Sequence, residues 1–494
     1  MHVCIVGTGA AGWISCNVLK SVPFIREITL IGSPNIPPIG VGESTTLSVI
    51  RCHKNIEDHD MREFIKTSDA TVKYGVYYKD WSENDFIHSF KAYEKPKQLD
   101  NLKIKSVYQY MRTFGNKSKN KPYHDLINKN FFDLIRNNKV LLSPEETHSW
   151  HFDASKYIKY LKNLALKNTK IKLIKDTVVD CVRNEKGLIE SVILSNGNHV
   201  KADYFINSSG TSDVNTKVFD EKYQDLSNIL LTNKAVFCPI EYETYEDKKN
   251  KLHPYTISKT MDYGWRWITP VWSRVGTGYV FSSNHTSISN AIDELIDDLY
   301  EDGAAPRTVD FNPRYNKKPF KFNTCSIGLS GGFLEPLDAP GLAFTYDFSV
   351  KLPQLLSKYY DCTVFGENEN YLREVESLNA EYVDSMKWWT SFILCQYKTC
   401  YREDTDFWID QKNVQYDYYD EIMENIDCLD EKYPNKEEDI NMFTFTMAAK
   451  DINWKTKLEI EPFALEDEEY LTIDHIKWIE SFHIDHWKSV GENV

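Results

Sequence analysis

No two of the ten cysteines in this 494-residue chain are spaced as Cys-x-x-Cys. A zinc ribbon and a thioredoxin-type redox site are therefore without support, and no metal centre is expected. The cysteines stand at 4, 16, 52, 181, 238, 325, 362, 395, 400 and 428. Scattered in this way, they read as free thiols of a reducing compartment. No apolar run reaches the length of a membrane span. The start, MHVCIVGTGA, has no basic leader region, and its apolar run is four residues long, unlike a signal peptide. A cytoplasmic protein without a membrane partner is the expectation. Positive charge is also short: 58 Lys and Arg face 73 Asp and Glu, a net charge of −15. That balance speaks against a nucleic-acid partner or an anionic membrane surface.

What is present is globular material. With 41 % hydrophobic and 27 % charged residues, the chain is too apolar for disorder and too polar for a membrane bundle. Its length suits about two to four structural units, or one large enzyme fold with insertions. A short apolar run at 3–6, a glycine turn at 7–12, a helical stretch at 13–19 and a second β-like run at 27–31 make a β-turn-α-β unit. Residues 34–42, rich in Pro and Gly, predict a loop. Residues 95–145, rich in Lys and Asn, predict an insertion. A helix is predicted from 153 to about 167, because Tyr157, Tyr160, Leu161 and Leu164 share one face. Strands are predicted at 171–174, 190–194 and 203–206, with further β-type patterning over 235–283. Beyond 355 the periodicity turns helical, with an acidic stretch at 417–439.

Four segments carry chemistry. In Gly7-x-Gly9-x-x-Gly12, Gly7 permits the tight turn and Gly9 lets backbone approach a pyrophosphate. Gly12 allows close helix–sheet packing, and the helix N-terminus favours the anion. The plain alternative is a glycine-rich turn without a ligand. The second strand ends in Gly32-Ser33, where a ribose-binding acid is usual, which weakens NAD as the ligand. The second segment, 40–46, reads GVGESTT and makes a capped helix start or an ordinary N-cap. The third, 264–270, reads GWRWITP; on a strand, Trp265 and Trp267 face one way, as a core pair also would. The fourth, 333–341, reads FLEPLDAPG and sets two acids in an apolar stretch, either a solvated turn or functional carboxylates.

Taken in order, these segments resemble the flavin-dependent halogenases, the family typified by tryptophan halogenases. The GxGxxGW start corresponds to 7–13, the GxGEx[TS] segment to 40–45, and WxWxIP to Trp265-x-Trp267-x-Thr269-Pro270. Family-like stretches recur at 150–154, at Ser209-Gly210 and at 276–283, and the FxEPLEStG-type loop corresponds to 333–341. A weaker match follows at 401–408. The resemblance implies an α/β, Rossmann-like FAD-binding fold of the flavin monooxygenase and halogenase type, elaborated as α+β. It implies a core over 1–355 and a mostly helical substrate-binding region over 356–494.

The implied reaction uses FADH2 and O2 to turn halide into hypohalous acid, which passes through a tunnel to a lysine. That lysine corresponds to Lys73, in Ala70-Thr71-Val72-Lys73, with Lys79 as the neighbouring alternative. The catalytic carboxylate corresponds to Asp338, where glutamate is usual, and Glu335 matches a second family glutamate. Halide is expected at Pro340 and Gly341, although Pro340 has no N–H to offer. Cofactor contacts are implied at Gly7, Gly9, Ala10, Ala11, Gly12, Trp13, Ser33, Gly42, Glu43, Leu329 and Leu342. A separate flavin reductase is the implied partner, and an indole, phenol or other electron-rich aromatic the substrate. Trp388, Trp389, Trp408, Phe443, Phe445 and Trp454 are candidates to sandwich its ring, or to be ordinary core. The missing amide leads to an expected preference for bromide or iodide over chloride. Two rival readings remain at this point: a flavin-dependent aromatic hydroxylase, and a flavin-binding protein that has lost catalysis. The oligomeric state is open, a homo-oligomer included.

Overall fold

Near-continuous apolar runs can sit only where both faces of a strand are covered, and His2–Val6 is such a run, with Val3, Cys4 and Ile5 fully buried. It lies at the centre of a five-stranded parallel sheet ordered Thr324–Ser326, Tyr204–Asn207, His2–Val6, Glu27–Gly32, Ile171–Lys175. The computed structural model describes residues 1–34, 43–83, 85–90, 129–141, 148–299, 306–366, 368–426, 428–433, 436, 440, 443, 446, 447 and 471–483. Two compact units form, each from three separate segments: 1–70, 152–227 and 311–386 in one, and 71–151, 228–310 and 387–494 in the other. The division at 355 that the resemblance implies falls within the segment 311–386 of the first unit.

In the first unit, helix Ala10–Leu19 packs against helices Ala154–Ala165 and Pro340–Ser349. The buried Asn17 side chain donates to Leu161 O (2.9 Å), which ties the first two together. Asp153 caps the helix Ala154–Ala165 by accepting from Ser155 N and Lys156 N, and Tyr157, Tyr160, Leu161 and Leu164 form its buried face. Two smaller antiparallel sheets complete the unit: Val178–Arg183, Ile189–Leu194 and His199–Lys201, then Tyr223–Asp225, Arg314–Asn316 and Gly332–Phe333.

The second unit is organised by a seven-stranded sheet, ordered Arg307–Asp310, Lys234–Glu241, Arg274–Phe281, Gly264–Pro270, Thr256–Met261, Gly75–Lys79, Phe86–Ser89. Every pairing is antiparallel except Thr256–Met261 with Gly75–Lys79. Helix Ile288–Leu299 covers one face, setting Ala291 and Leu295 among Val236, Cys238, Tyr279 and Phe281. Strand Thr71–Lys73 pairs antiparallel with Ser149–Phe152, and Thr472–Asp474 with Lys139–Leu141. Beyond 355 the described elements are mainly helical, with Leu352–Phe365, Asn368–Lys398, Asp406–Asn413 and Asp417–Glu424. Most of the proposed insertion at 95–145 lies outside the described residues; helix Lys129–Arg136 and strand Lys139–Leu141 are described. Among the described residues no helix is long and apolar enough to cross a membrane.

Candidate functional site

In the first unit, Gly7 has φ +122°, a conformation that L side chains rarely adopt. A Cβ at Gly7 would stand 2.1 Å from Ser208 O, and one at Gly12 would stand 2.1 Å from Gly7 O. Both positions are closed to any side chain. Gly9 differs: a Cβ there would meet nothing within 4 Å among the described residues. Gly9 is also the N-cap of helix Ala10–Leu19 and supplies no side-chain cap. The first-turn amides of Ala10 and Ala11 thus face a free approach, which suits a pyrophosphate. These residues fit the phosphate portion of a dinucleotide. Trp13 is buried in the same helix, and its N–H donates to Gly9 O (3.2 Å). The Ser33 hydroxyl bonds Thr177 Oγ1 (2.8 Å) at the end of the second strand. Gly42 lies outside the described residues; Glu43 is half-buried at the start of strand Glu43–Ser44.

The acidic loop belongs to the same unit. Glu335 is fully buried and Asp338 nearly so. Asp338 (φ 61°) and Ala339 (φ 63°) are consecutive left-handed residues without a glycine between them. Such strain costs about 1–3 kcal/mol per residue and gathers at functional sites. Ala339 N–H closes the turn onto Pro336 O (2.9 Å), and Pro340 starts helix Pro340–Ser349. Pro suits that position, where a helix makes no use of the N–H. Gly341 and Leu342 occupy its first turn, both half-buried. Leu329 sits in the short 3-10 turn Gly328–Ser330, where a Cβ on Gly328 would stand 2.6 Å from Ala11 Cβ.

Lys73 belongs to the second unit and is fully buried, whereas Lys79 is exposed. Its Nζ stands 5.2 Å from the centre of the Phe90 ring, within cation–π range. On the strand, Lys73 and Thr71 share a face with Ser149 and His151, their register partners. The Thr71 hydroxyl donates to Pro270 O (2.7 Å), the last residue of the paired-tryptophan strand. His151 is fully buried between Thr71 Oγ1 (3.3 Å) and Thr256 Oγ1 (2.8 Å). Burial first, then the Lys73 charge, pushes its pKa well down, so His151 is neutral. Trp265 and Trp267 do share one side of their strand, with ring centres 6.5 Å apart, and both are buried. A Cβ on Gly278 would stand 2.3 Å from Trp267, so the glycine makes room for that ring.

Of the aromatic candidates, Trp388 is fully buried against Tyr433 and Phe443, each at 5.4 Å, and Trp389 is half-buried. Trp408 is buried and its Nε1–H donates to Met261 O (3.0 Å), which is core behaviour. Phe445 and Trp454 lie outside the described residues. A cavity of about 560 Å³ in this unit is lined by Asp80, Lys259, Asp262, Glu294, Asp298 and Arg402. Its charges are largely paired: Arg402 bonds Asp262 (2.7 Å) and Asp404 (2.6 Å), and Asp298 bonds Lys259 and Arg266. None of the candidate residues lines it.

Sequence reasoning assigned no role to His151, although it stood in a family-like stretch, nor to His475, whose Nε2 accepts from Val72 N–H (3.1 Å). Register pairing with Thr71 is the signal that finds His151. Nothing in spacing points to His475, 403 positions from its partner.

A family profile described as tryptophan halogenase matches residues 2–451. Tryptophan 7-halogenase RebH of Lentzea aerocolonigenes is 28 % identical over 451 residues, 86 % of this chain and 81 % of that protein. Tryptophan 6-halogenase ThaL of Streptomyces albogriseolus is 26 % identical over 439 residues, 84 % and 79 % of the two chains. Among solved structures, a tryptophan halogenase from Shewanella frigidimarina NCIMB 400 superposes with a TM-score of 0.80 at 21 % identity, covering 98 % of this chain and 92 % of that one. Xcc4156, a flavin-dependent halogenase from Xanthomonas campestris, gives 0.78 at 20 % identity, covering 97 % and 94 %. The chain therefore belongs to the tryptophan halogenase family, flavin-dependent oxidoreductases that halogenate aromatic substrates with FADH2, O2 and halide and take reduced flavin from a separate reductase.

Proposed function

We propose that this enzyme halogenates an electron-rich indole or phenol and that Lys73 carries the oxidant. The observation behind this reading is Lys73 itself: a fully buried lysine, on a three-residue strand, at the position the family motif marks. Gly7, Gly9, Gly12 and the first-turn amides of Ala10 and Ala11 would hold the FAD pyrophosphate. Ser33, Glu43, Leu329 and Leu342 would line the same cofactor; Gly42, implied by the resemblance, lies outside the described residues. When bound, reduced FAD would supply two of the four electrons that O2 accepts, the halide giving up the other two as it becomes hypohalous acid while the second oxygen leaves as water.

Lys73 then acts as a hydrogen-bond donor to the hypohalous oxygen or, when deprotonated, as the amine that holds the halogen. The ring attacks the halogen and a carbon–halogen bond forms: the oxygen–halogen bond breaks and the leaving hydroxide takes a proton from the Lys73 ammonium to become water, or, where the amine has already released that water and holds the halogen, the nitrogen–halogen bond breaks and the amine is regenerated. Asp338 stabilises the cationic ring and takes the proton from its carbon, with Glu335 as the supporting acid. The left-handed pair at Asp338 and Ala339 supports this assignment, because such strain persists only where surrounding structure holds it. Pro340 leaves Gly341 as the amide for halide, so bromide and iodide are preferred over chloride.

The test combines the protein with FAD, a flavin reductase, NADH, bromide and a panel of indoles and phenols. The bromine isotope doublet in the product mass spectrum is expected, and its absence across the panel overturns the substrate class. Without the reductase, NADH leaves the bound flavin oxidised; rapid reduction by NADH alone contradicts the need for a partner.

A further inference from the structure

Strand Thr71–Lys73 has three residues and one strand partner among the described residues. Alternate residues of an antiparallel strand direct their N–H groups to opposite edges. Val72 N–H donates to the imidazole Nε2 of His475 at 3.1 Å, so that imidazole occupies the edge a further strand would take. A buried amide with no acceptor there would carry its whole desolvation penalty. His475 Nδ1 stands 3.3 Å from Leu252 O, which can only accept, so the proton sits on Nδ1 and Nε2 is free to accept.

The imidazole is itself held. His475 N–H donates to Asn138 O (2.9 Å), and the preceding strand Thr472–Asp474 is paired with Lys139–Leu141. Asp474 Oδ1 accepts from Ile476 N (3.2 Å), fixing the helix His475–His483 behind the ring. Thr71 is bound to Pro270 O, and Tyr74 N–H donates to Pro254 O (2.8 Å). The chain on both sides of Lys73 is thus pinned through the Thr71 hydroxyl and through the backbone N–H groups of Val72 and Tyr74, and at Val72 the acceptor is another residue's side chain.

We propose that His475 is a positioning residue for Lys73: its neutral imidazole fixes the short strand at Val72 so that the lysine amine holds the oxidant where the substrate takes it up. The proposal rests on the reading of Lys73 given above. His475→Leu removes the acceptor, and His475→Gln returns one near the place of Nε2. His475→Phe keeps a ring of similar bulk without an acceptor, and serves if the leucine variant does not fold.

Two readouts are taken on each variant. The first is amide hydrogen exchange at Val72, which needs no cofactor. The second is halogenated product formed per FADH2 oxidised, with escaping hypohalous acid trapped by added taurine. His475→Leu or His475→Phe is expected to speed Val72 exchange about tenfold or more while amides 149–151 stay protected. Product per FADH2 is expected to fall about tenfold, the scale of a slightly misplaced catalytic group, with trapped oxidant rising in step. The rate of FADH2 oxidation stays within about twofold, and His475→Gln restores most of both readouts. Unchanged product per FADH2 in a folded variant with exposed Val72 overturns the proposal. Lys73→Ala, measured alongside, separates the two failures: full product yield there sinks the Lys73 reading, whereas loss there with full yield in the His475 variants sinks only the positioning role.

Discussion

The glycine turn at 7–12 takes its geometry mainly from consecutive residues, with Ser208 as one distant neighbour, while strand Thr71–Lys73 takes its geometry from several segments far along the chain. In the turn, Gly7 and Gly12 are closed by backbone atoms of the turn itself and of Ser208, and the helix begins at once. In the strand, the fixing atoms come from His151, Pro254, Pro270 and His475. A site built locally depends on the chemistry of a few adjacent positions and fails when one of them changes. A site built from distant segments depends on several contacts, each of modest worth, and fails by losing alignment.

The strongest way to sharpen that contrast is Lys73→Ala. Halogenation is expected to fall by about a thousandfold or more, because both the donor and the holding amine are gone. FAD affinity should stay within about twofold, since no glycine-turn contact is touched. Product quantified by mass spectrometry and FAD titration by fluorescence check the two halves. Retained regioselective activity would move the role to Lys79, in spite of its exposure.

Next come the glycines, where one motif holds two kinds of position. Gly7→Ala places a side chain at φ +122° and 2.1 Å from Ser208 O, so little folded flavoprotein should be recovered. Gly9→Ala meets no atom of the described residues within 4 Å and should fold normally. It should still weaken FAD by about tenfold or more, because the methyl fills the space a pyrophosphate needs. Equal FAD affinity in Gly9→Ala would remove the open face of that residue from the cofactor site.

Asp338→Asn keeps the shape of the acid and removes its charge. Turnover should fall by about a hundredfold through loss of the proton acceptor and of the partner to the cationic ring. Steady-state rates at saturating bromide provide the check. Unchanged turnover would shift the acid to Glu335, which is fully buried in the same loop.

A fourth expectation sets the two units beside each other in pH rather than by mutation. Burial drops the pKa of His59 in the first unit and of His475 in the second from the ordinary 6.5 to about 4. A histidine whose folded pKa is depressed stabilises the neutral form. Its contribution is complete above about pH 6.5, declines as pH falls towards 4, and is lost below that. Each group is worth about 3 kcal/mol across the window. Denaturant midpoints between pH 7 and 4 should therefore fall steadily in wild type. His59→Gln should flatten the slope by about one proton, and an unchanged slope would show that His59 does not titrate on unfolding.

Local construction is also what made the first region legible. The strand–turn–helix at the start, the helix capped by Asp153 and the strands near 171, 190 and 204 are patterns of adjacent residues, and each stands within a few positions of its expected place. The strain at Asp338 and Ala339 was not legible, because neither is a residue that favours left-handed backbone to the degree glycine does. His475 was not legible because its value lies in one lone pair presented to an amide 403 positions away. Which surfaces pack together alternates along the chain, so the three-segment make-up of each unit was not legible in local patterns.

The smallest expected effect concerns Pro340, where a local rule and a functional need conflict. As the first residue of helix Pro340–Ser349, proline is favoured by its fixed φ and by the helix's indifference to that N–H. For a halide beside this turn the same absence removes a donor. Ala339 N–H is already given to Pro336 O, so Gly341 carries the next first-turn amide. Chloride, the smallest and most strongly hydrated of the usable halides, loses most when a donor is missing. Pro340→Thr restores the amide with a side chain that a helix start accepts. One net hydrogen bond is worth about 1 kcal/mol, so the ratio of chlorinated to brominated product should rise about fivefold in a reaction with equimolar halides. The loss of proline rigidity should lower stability by about 0.4–1 kcal/mol, which thermal melts can confirm separately. A ratio that does not move, in a variant that melts as expected, would take the missing amide out of halide selection and leave ease of halide oxidation as its sole physical basis.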